Sequence, residues 1–165
     1  MKRNFNLKGF TLIELIIVIA VIALLAAATF VAVDPAKRIG QARDAQRWAD
    51  VTAIADAVST YVADNTGTYP TSTVTAGTYY AVMGYGAGGA ASATCQNRTV
   101  TTLGVSFGTN LVSTYLPTMP VDPAGSAIYG TVSTGYYFMK NAAGRTIVGA
   151  CKESDYATAS IYVQR

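Results

Sequence analysis

The chain has 165 residues, of which 51% are hydrophobic, and a formal net charge of +3. It has no histidine, and its two cysteines form no C-x-x-C pair, which argues against a metal site built from imidazole and thiolate ligands. The sequence also offers no paired carboxylates in a plausible pocket, no nucleophile spaced beside a base and no cofactor motif. We therefore expect neither enzymatic activity nor a bound cofactor.

The positive charge is concentrated at the amino terminus. Lys2, Arg3 and Lys8 precede a long apolar run, and the rest of the chain carries nine basic and nine acidic residues. A basic face for nucleic acid is therefore not evident beyond residues 1–9, and nucleic acid as a partner has no support in the sequence.

An apolar run of 24 residues extends from Phe10 to Val33 and contains one charge, Glu14. A helix needs about 20 apolar residues to cross the hydrocarbon layer, so residues 10–33 are predicted to be a transmembrane helix. Basic residues tend to stay on the cytoplasmic side, which favours residues 1–9 inside and the long remainder outside.

The junction between these two segments contains a recognisable motif. The stretch Lys8-Gly9-Phe10-Thr11-Leu12-Ile13-Glu14-Leu15 resembles the processing site of type IV prepilins and of the pseudopilins of type II secretion. The resemblance implies that a prepilin peptidase of the inner membrane removes residues 1–9 as a leader. It would cut between Gly9 and Phe10, methylate the new amino terminus of Phe10, and leave Glu14 as the fifth mature residue.

Glu14 needs an explanation, because a charge at the centre of a membrane helix costs about 2.5 to 3.5 kcal/mol, and less near an end. One interpretation leaves it solvated at the interface, near the positive end of the helix dipole. The other pairs it with the α-amino group that cleavage creates on Phe10. By analogy we prefer a pair between neighbouring subunits, where a desolvated pair of charges fixes the register of a docking subunit.

The sequence Asp34-Pro35 predicts a fresh helix start, because aspartate is a favoured N-cap and proline suits the first helical turn. Apolar and small residues then recur at helical spacing, and Asn65-Thr66-Gly67 offers a C-cap. We assign residues 34–66 to an amphipathic segment, with a helix from Pro35 to Asp64.

Charges along this second helix are polarised, with basic residues first and acidic residues mostly later. The two sets are Lys37, Arg38, Arg43 and Arg47, and Asp50, Asp56 and Asp64, with Asp44 as the exception. One interpretation is a merely solvated face. The other is a staggered packing in which the basic half of one subunit faces the acidic half of another.

Residues 67–165 are rich in Thr, Ser, Gly and Tyr and are predicted to form a β-rich head outside the membrane. The candidate strands are Val74–Met83, Thr99–Ser106, Ile128–Val132, Tyr136–Met139, Thr146–Cys151 and Ile161–Val163, and Asn110–Tyr115 is a candidate helical turn. We expect an α+β fold in which a long hydrophobic and amphipathic pilin-like helix packs on a small antiparallel sheet.

Cys95 and Cys151 are predicted to form a disulfide if the head lies outside the cytoplasm, and two buried free thiols are the alternative.

Two features of the head bear on the kind of subunit. A proline-punctuated turn like the one before the sheet of many pilins is resembled by the stretch Leu116-Pro117-Thr118-Met119-Pro120-Val121-Asp122-Pro123. Major pseudopilins commonly have an Asp- and Gly-rich calcium-binding end, whereas this sequence has Glu153 and Asp155 in that region, so we expect no calcium site. The resemblance therefore tilts towards a pilus subunit.

Taken together, the resemblance implies a structural subunit, a major or minor pilin, of a type IV pilus-like filament for motility, adhesion or DNA uptake. Its partners would be further copies of the chain, the membrane, the prepilin peptidase and, indirectly, an assembly ATPase and inner-membrane platform proteins. The alternatives are a pseudopilin of a type II secretion system and, with less support, a membrane-anchored binding module. The precursor would sit in the inner membrane and the mature protein in an extracellular pilus or a periplasmic pseudopilus.

Overall fold

The computed structural model describes residues 9–71, 74–84, 95, 100, 104–124 and 132–165. The chain divides into two compact units, Met1–Arg38 and Ile39–Arg165. Helix α1 (Leu12–Val33) lies in the first unit, and helix α2 (Pro35–Asp64) begins there and continues into the second. The remaining described elements are the short helix α3 (Gly108–Leu111) and five strands.

Asp34 separates the two long helices. Its backbone adopts the left-handed conformation, with φ of 44°, and ends α1. Its Oδ1 accepts a hydrogen bond from the amide of Lys37 at 3.3 Å, as an N-cap carboxylate does, while Pro35 has no amide hydrogen to satisfy. The predicted fresh helix start is confirmed.

Helix α2 ends as the sequence predicts. The amide of Gly67 donates to the carbonyl of Val62 at 2.8 Å, and Thr66 and Gly67 both have positive φ values, of 52° and 85°. This pattern is a Schellman motif, which satisfies carbonyls in the last turn of the helix. The predicted bounds Pro35 and Asp64 are both confirmed.

The five strands form one sheet in the order β2-β1-β3-β4-β5. The strands are β1 (Tyr79–Met83), β2 (Val105–Ser106), β3 (Tyr136–Lys140), β4 (Thr146–Ala150) and β5 (Tyr162–Gln164). The pairs β1-β3, β3-β4 and β4-β5 are antiparallel, but β1 and β2 are parallel. The sheet is therefore mixed rather than wholly antiparallel. A parallel pair requires a long crossover, and the connection of residues 84–104 is long enough to supply one.

The individual strand predictions had different outcomes. Those for β3, β4 and β5 are confirmed to within one residue at either end. Residues 74–78 of the first candidate are not in a strand, because the chain turns at Gly77 with φ of 81°. The last two residues of the candidate Thr99–Ser106 form β2, and residues 99 and 101–103 lie outside the described residues, as do residues 128–131 of the next candidate. The helical turn forms slightly earlier than predicted, as α3.

The core of the second unit joins α2 to the sheet. Apolar side chains at helical spacing on α2 and at alternate positions on the strands are fully buried and form one cluster. Its members include Val51, Ile54, Val58, Val82, Phe107, Phe138 and Val148. The α+β fold, with a long amino-terminal helix and a small sheet, is confirmed.

An ion-pair cluster around Arg47 connects α2 to two later segments. Arg47 is only 3% exposed and donates from Nε and Nη2 to both carboxylate oxygens of Asp122, at 2.7 and 2.8 Å. Its Nη1 donates to Asp44 Oδ1 at 2.8 Å, and Asp44 in turn accepts from the amide of Ser154 at 3.0 Å. We call these four residues the Arg47 cluster.

The Arg47 cluster removes Arg47 from the suggested staggered packing between the basic and acidic halves of α2. Arg47 is buried and paired within its own chain, so it cannot face a second subunit. Asp56 pairs with Arg165 at 2.9 Å, and Asp50 accepts a hydrogen bond from Tyr136 at 2.6 Å. Arg47, Asp50 and Asp56 therefore attach α2 to later segments of the chain, whereas the other basic residues of α2 form no ion pair within the described residues.

Cys95 and Cys151 are bonded to each other and are both buried. They pack with Tyr137 of β3 in a small cluster beside the sheet. The bond therefore links the end of β4 to a residue 56 positions earlier in the chain.

Candidate assembly site

Most of the exposed large hydrophobic side chains of the described residues lie on α1. All of its 22 residues are exposed, although nearly all are hydrophobic. At 1.5 Å per residue the helix is about 33 Å long, and by length and composition it can cross a membrane. A helix that is apolar on every side is stable in lipid or when packed among other helices. Among the described residues, none buries any residue of α1.

The Gly9-Phe10 peptide bond lies just before this helix. Gly9 is exposed and Phe10 is 86% exposed. A Cβ added to Gly9 would contact nothing within 4 Å, and its φ lies outside the left-handed range. The fold of this chain therefore does not require glycine at this position. If glycine is needed there, the need arises in an enzyme that recognises the bond.

Glu14 closes a capping box at the first turn of α1. Its Oε2 accepts hydrogen bonds from the backbone amide of Thr11 at 3.1 Å and from the Thr11 hydroxyl at 3.0 Å. The Glu14 amide donates to Thr11 Oγ1 at 3.3 Å. These bonds satisfy amide groups that the first turn of a helix leaves without partners. Glu14 is therefore anchored on its own helix before any other group binds it.

The capping box leaves part of the carboxylate available. The hydrogen bonds of the described residues use Oε2 of Glu14 and not Oε1. Cleavage of the Gly9-Phe10 bond would leave a cationic amine on the residue next to Thr11. One carboxylate can therefore cap its own helix through Oε2 and bind an amine, of its own chain or of another, through Oε1.

The predicted site residues fall into two groups in the structure. Gly9, Phe10 and Glu14 lie together at the start of α1, whereas Cys95 and Cys151 lie in the second unit. The role of Thr11 was missed. Its signal was present in the sequence, since Thr-x-x-Glu before an apolar run is the pattern of a capping box.

Comparison with known proteins gives one match. The family model of the prokaryotic N-terminal methylation motif matches residues 5–30, which include the Gly9-Phe10 bond, Glu14 and most of α1. No curated protein and no solved structure matches the chain. The match confirms the resemblance that residues 8–15 indicate, and it ends before α2 begins.

Proposed function

We propose that this chain, which carries the class III prepilin leader of type IV pilins and pseudopilins, is a structural subunit of a type IV pilus-like filament. It would be a major or minor pilin that polymerises through α1 and serves surface motility, adhesion or DNA uptake. The observation that carries the proposal is the position of Glu14. It lies one helical turn beyond the predicted cleavage bond, at the exposed end of a helix whose apolar surface is not buried by any residue that the structure describes.

The proposal divides the chain by role. Residues 1–9 are the cleaved leader, residues 10–33 the membrane anchor and later the filament core, residues 34–66 the amphipathic segment and residues 67–165 the head. The precursor spans the inner membrane with its amino terminus inside. The prepilin peptidase acts on it there, and the assembly ATPase and platform proteins act indirectly, to extract it into the filament.

The amino terminus of the surface protein tests the proposal directly. We expect mass spectrometry of sheared surface material to find a chain that begins at Phe10 and carries a methyl group on its amine. Electron microscopy of the same material should show filaments. A chain that retains Met1 in all membrane and surface material would contradict the proposal.

Variants of Glu14 separate its two roles. Glu14→Gln retains an oxygen that can accept the Thr11 hydrogen bonds but loses the charge, whereas Glu14→Ala loses both. Since loss of one partner of a desolvated ion pair costs several kcal/mol, we expect both variants to insert into the membrane and to form at least about tenfold fewer filaments. Normal filaments from Glu14→Gln would show that Glu14 acts only as a cap.

The second candidate is a pseudopilin, because the matched motif precedes both kinds of subunit. The filament would then be periplasmic and would drive secretion. Deletion of the gene distinguishes the two. We expect loss of surface filaments and motility with normal secretion, whereas a secretion defect without loss of surface filaments would favour the pseudopilin.

A further inference from the structure

A groove runs along α2 on the second unit. It has a volume of about 370 Å³ and lies between α2 and residues 156–161. We call it the α2 groove and define it by Gln41, Ala45, Trp48, Tyr156 and Ile161. Trp48 and Tyr156 are 44% and 43% exposed. Large, partly exposed aromatic rings beside a concave surface are typical of the centres of protein interfaces.

The wall of the α2 groove is held in place before any partner binds. Asp44 accepts hydrogen bonds from the amide and the hydroxyl of Ser154, which hold that segment on α2. A Cβ added to Gly40 would lie 3.0 Å from Cδ2 of Tyr156 and 3.2 Å from Cβ of Ser154. The absence of a side chain at Gly40 therefore allows the Tyr156 ring to lie close to the helix. A preformed groove loses little entropy when it binds.

The opposite face of α2 carries an exposed ridge. Ile39 is 55% exposed, and Arg43, four residues later, is also exposed. At 3.6 residues per turn, these two side chains share one face and lie about 180° around the helix from Gln41, Ala45 and Trp48. We call Ile39 and Arg43 the α2 ridge.

The charges of ridge and groove are complementary. Unlike Arg47, Arg43 has no ion pair within the described part of the chain. Asp155 is likewise exposed and without an ion pair there. It lines a hollow that shares Ala157, Thr158 and Ala159 with the α2 groove. One unpaired cation thus lies on the ridge, and one unpaired anion lies beside the aromatic groove.

We propose that the α2 groove of one subunit receives the α2 ridge of a second copy of the chain. The Arg43 guanidinium would lie against the Trp48 or Tyr156 ring and face the Asp155 carboxylate. The Ile39 side chain would pack into the apolar part of the α2 groove. Because ridge and groove are on opposite faces, the contact is heterologous and can repeat without closing, as a filament requires. The inference rests on the proposed function and adds to it a subunit contact outside α1.

Filament yield tests this contact with matched controls. We expect Arg43→Glu and Trp48→Ala each to lower the yield of filaments about tenfold, which corresponds to about 1.4 kcal/mol per contact. Arg145→Glu, at another exposed arginine, and Tyr162→Ala, at a tyrosine that is 47% exposed, should change the yield less than twofold. The double variant Arg43→Glu/Asp155→Arg reverses both charges and should restore filaments. Wild-type yields from Arg43→Glu and Trp48→Ala would overturn the proposal.

Crosslinking separates this inference from the proposed function. Cells that express an Arg43→Cys copy and an Asp155→Cys copy together should give a disulfide-linked pair on mild oxidation, and an Arg145→Cys copy with Asp155→Cys should not. Absence of the first crosslink overturns the groove contact whether or not filaments form. A wild-type chain that retains Met1 and forms no filaments overturns the proposed function instead. Resistance of each variant's head to protease shows that it is folded.

Discussion

Helices α1 and α2 follow one another in the chain, yet they relate to the rest of the molecule in opposite ways. None of the 22 residues of α1 is buried, whereas α2 buries an arginine and five apolar residues. α1 has a single charge, which caps its own first turn. α2 has many charges, and at least four of them bind partners in later segments.

The difference shows where each helix finds its stabilising partners. α2 obtains them within the chain, because residues from Asp122 to Arg165 supply counter-charges and apolar cover. α1 has no buried residue in the described part of the chain, and its apolar surface suits lipid or the surfaces of other helices. Substitutions at the buried positions of α2 should therefore affect the folding of the head, and substitutions in α1 should affect insertion and assembly.

The largest effect on folding is expected at Arg47. Arg47→Ala leaves the carboxylate of Asp122 buried without its counter-charge, and loss of one partner of a buried ion pair costs about 3 to 5 kcal/mol. We expect that decrease in the free energy of unfolding of the head, measured by urea unfolding of the full chain in detergent with Trp48 fluorescence as the probe.

Two controls test whether Arg47→Ala lowers the free energy of unfolding because it breaks the buried ion pair. Arg43→Ala, one turn earlier and exposed, should change the free energy of unfolding by less than about 0.5 kcal/mol. Arg47→Met with Asp122→Leu removes both charges and should recover most of the stability, since apolar replacement of a whole buried pair is often neutral. Equal losses from Arg43→Ala and Arg47→Ala would mean that the cluster does not attach the head to α2.

The next effect compares the same substitution in both helices. Ala23→Arg places a charge near the middle of α1 and should cost about 2.5 to 3.5 kcal/mol of insertion free energy, seen as less protein in the membrane fraction. Ala49→Arg places the same charge on an exposed position of α2 and should leave insertion and folding nearly unchanged. Normal insertion of Ala23→Arg would contradict the expectation that α1 spans the membrane.

Local sequence signals predicted the elements of this fold well. Asp34-Pro35 and Asn65-Thr66-Gly67 defined the bounds of α2, because capping depends on residues within one turn of the helix end. The match at residues 5–30 was predictable for the same reason, since its motif is contiguous. Short runs of β-type residues likewise predicted β3 and β4 almost to the residue.

Long-range contacts were not predictable in this way. Arg47 and Asp122 are 75 positions apart, and nothing near either residue indicates the other. Asp122 was noted only within a proline-punctuated turn. The parallel pairing of β1 with β2 was missed because short runs of β-type residues indicate where strands lie but not the direction in which they pair. Similarly, the α2 groove depends on Trp48 and Tyr156, which are far apart in sequence.

The smallest predicted effect concerns two aspartates of α2 whose pKa values move in opposite directions. Burial raises the pKa of Asp50 above its ordinary value, and the nearby Asp122 charge adds to this despite the hydrogen bond from Tyr136. Burial also acts to raise the pKa of Asp44, but hydrogen bonds from Ser154 and Arg47 outweigh it and leave that pKa lowered. Ionised Asp50 therefore opposes folding, and ionised Asp44 favours it.

The signs give opposite pH dependences. A raised pKa contributes stability that is present at low pH and lost as pH rises through the raised value, and a lowered pKa contributes stability that is lost as pH falls through the lowered value. At pH 7 we expect Asp50→Asn, which keeps an acceptor for Tyr136, to have a free energy of unfolding above that of wild type by less than about 0.5 kcal/mol, because Asp50 is only partly buried. Asp44→Asn should have a free energy of unfolding below that of wild type at the same pH.

As the pH falls, the difference in free energy of unfolding between each variant and wild type should shrink. The difference for Asp50→Asn should shrink first, because Asp50 takes up its proton at a higher pH than Asp44 does. Urea unfolding at several pH values between 7 and 3 measures the two curves. Differences of the same sign for the two variants would mean that the charges of α2 do not act through their separate partners, Tyr136 and the Arg47 cluster. In that case α2 would differ from α1 only in burying apolar side chains, because the positions of its charges would not contribute to the attachment of the head.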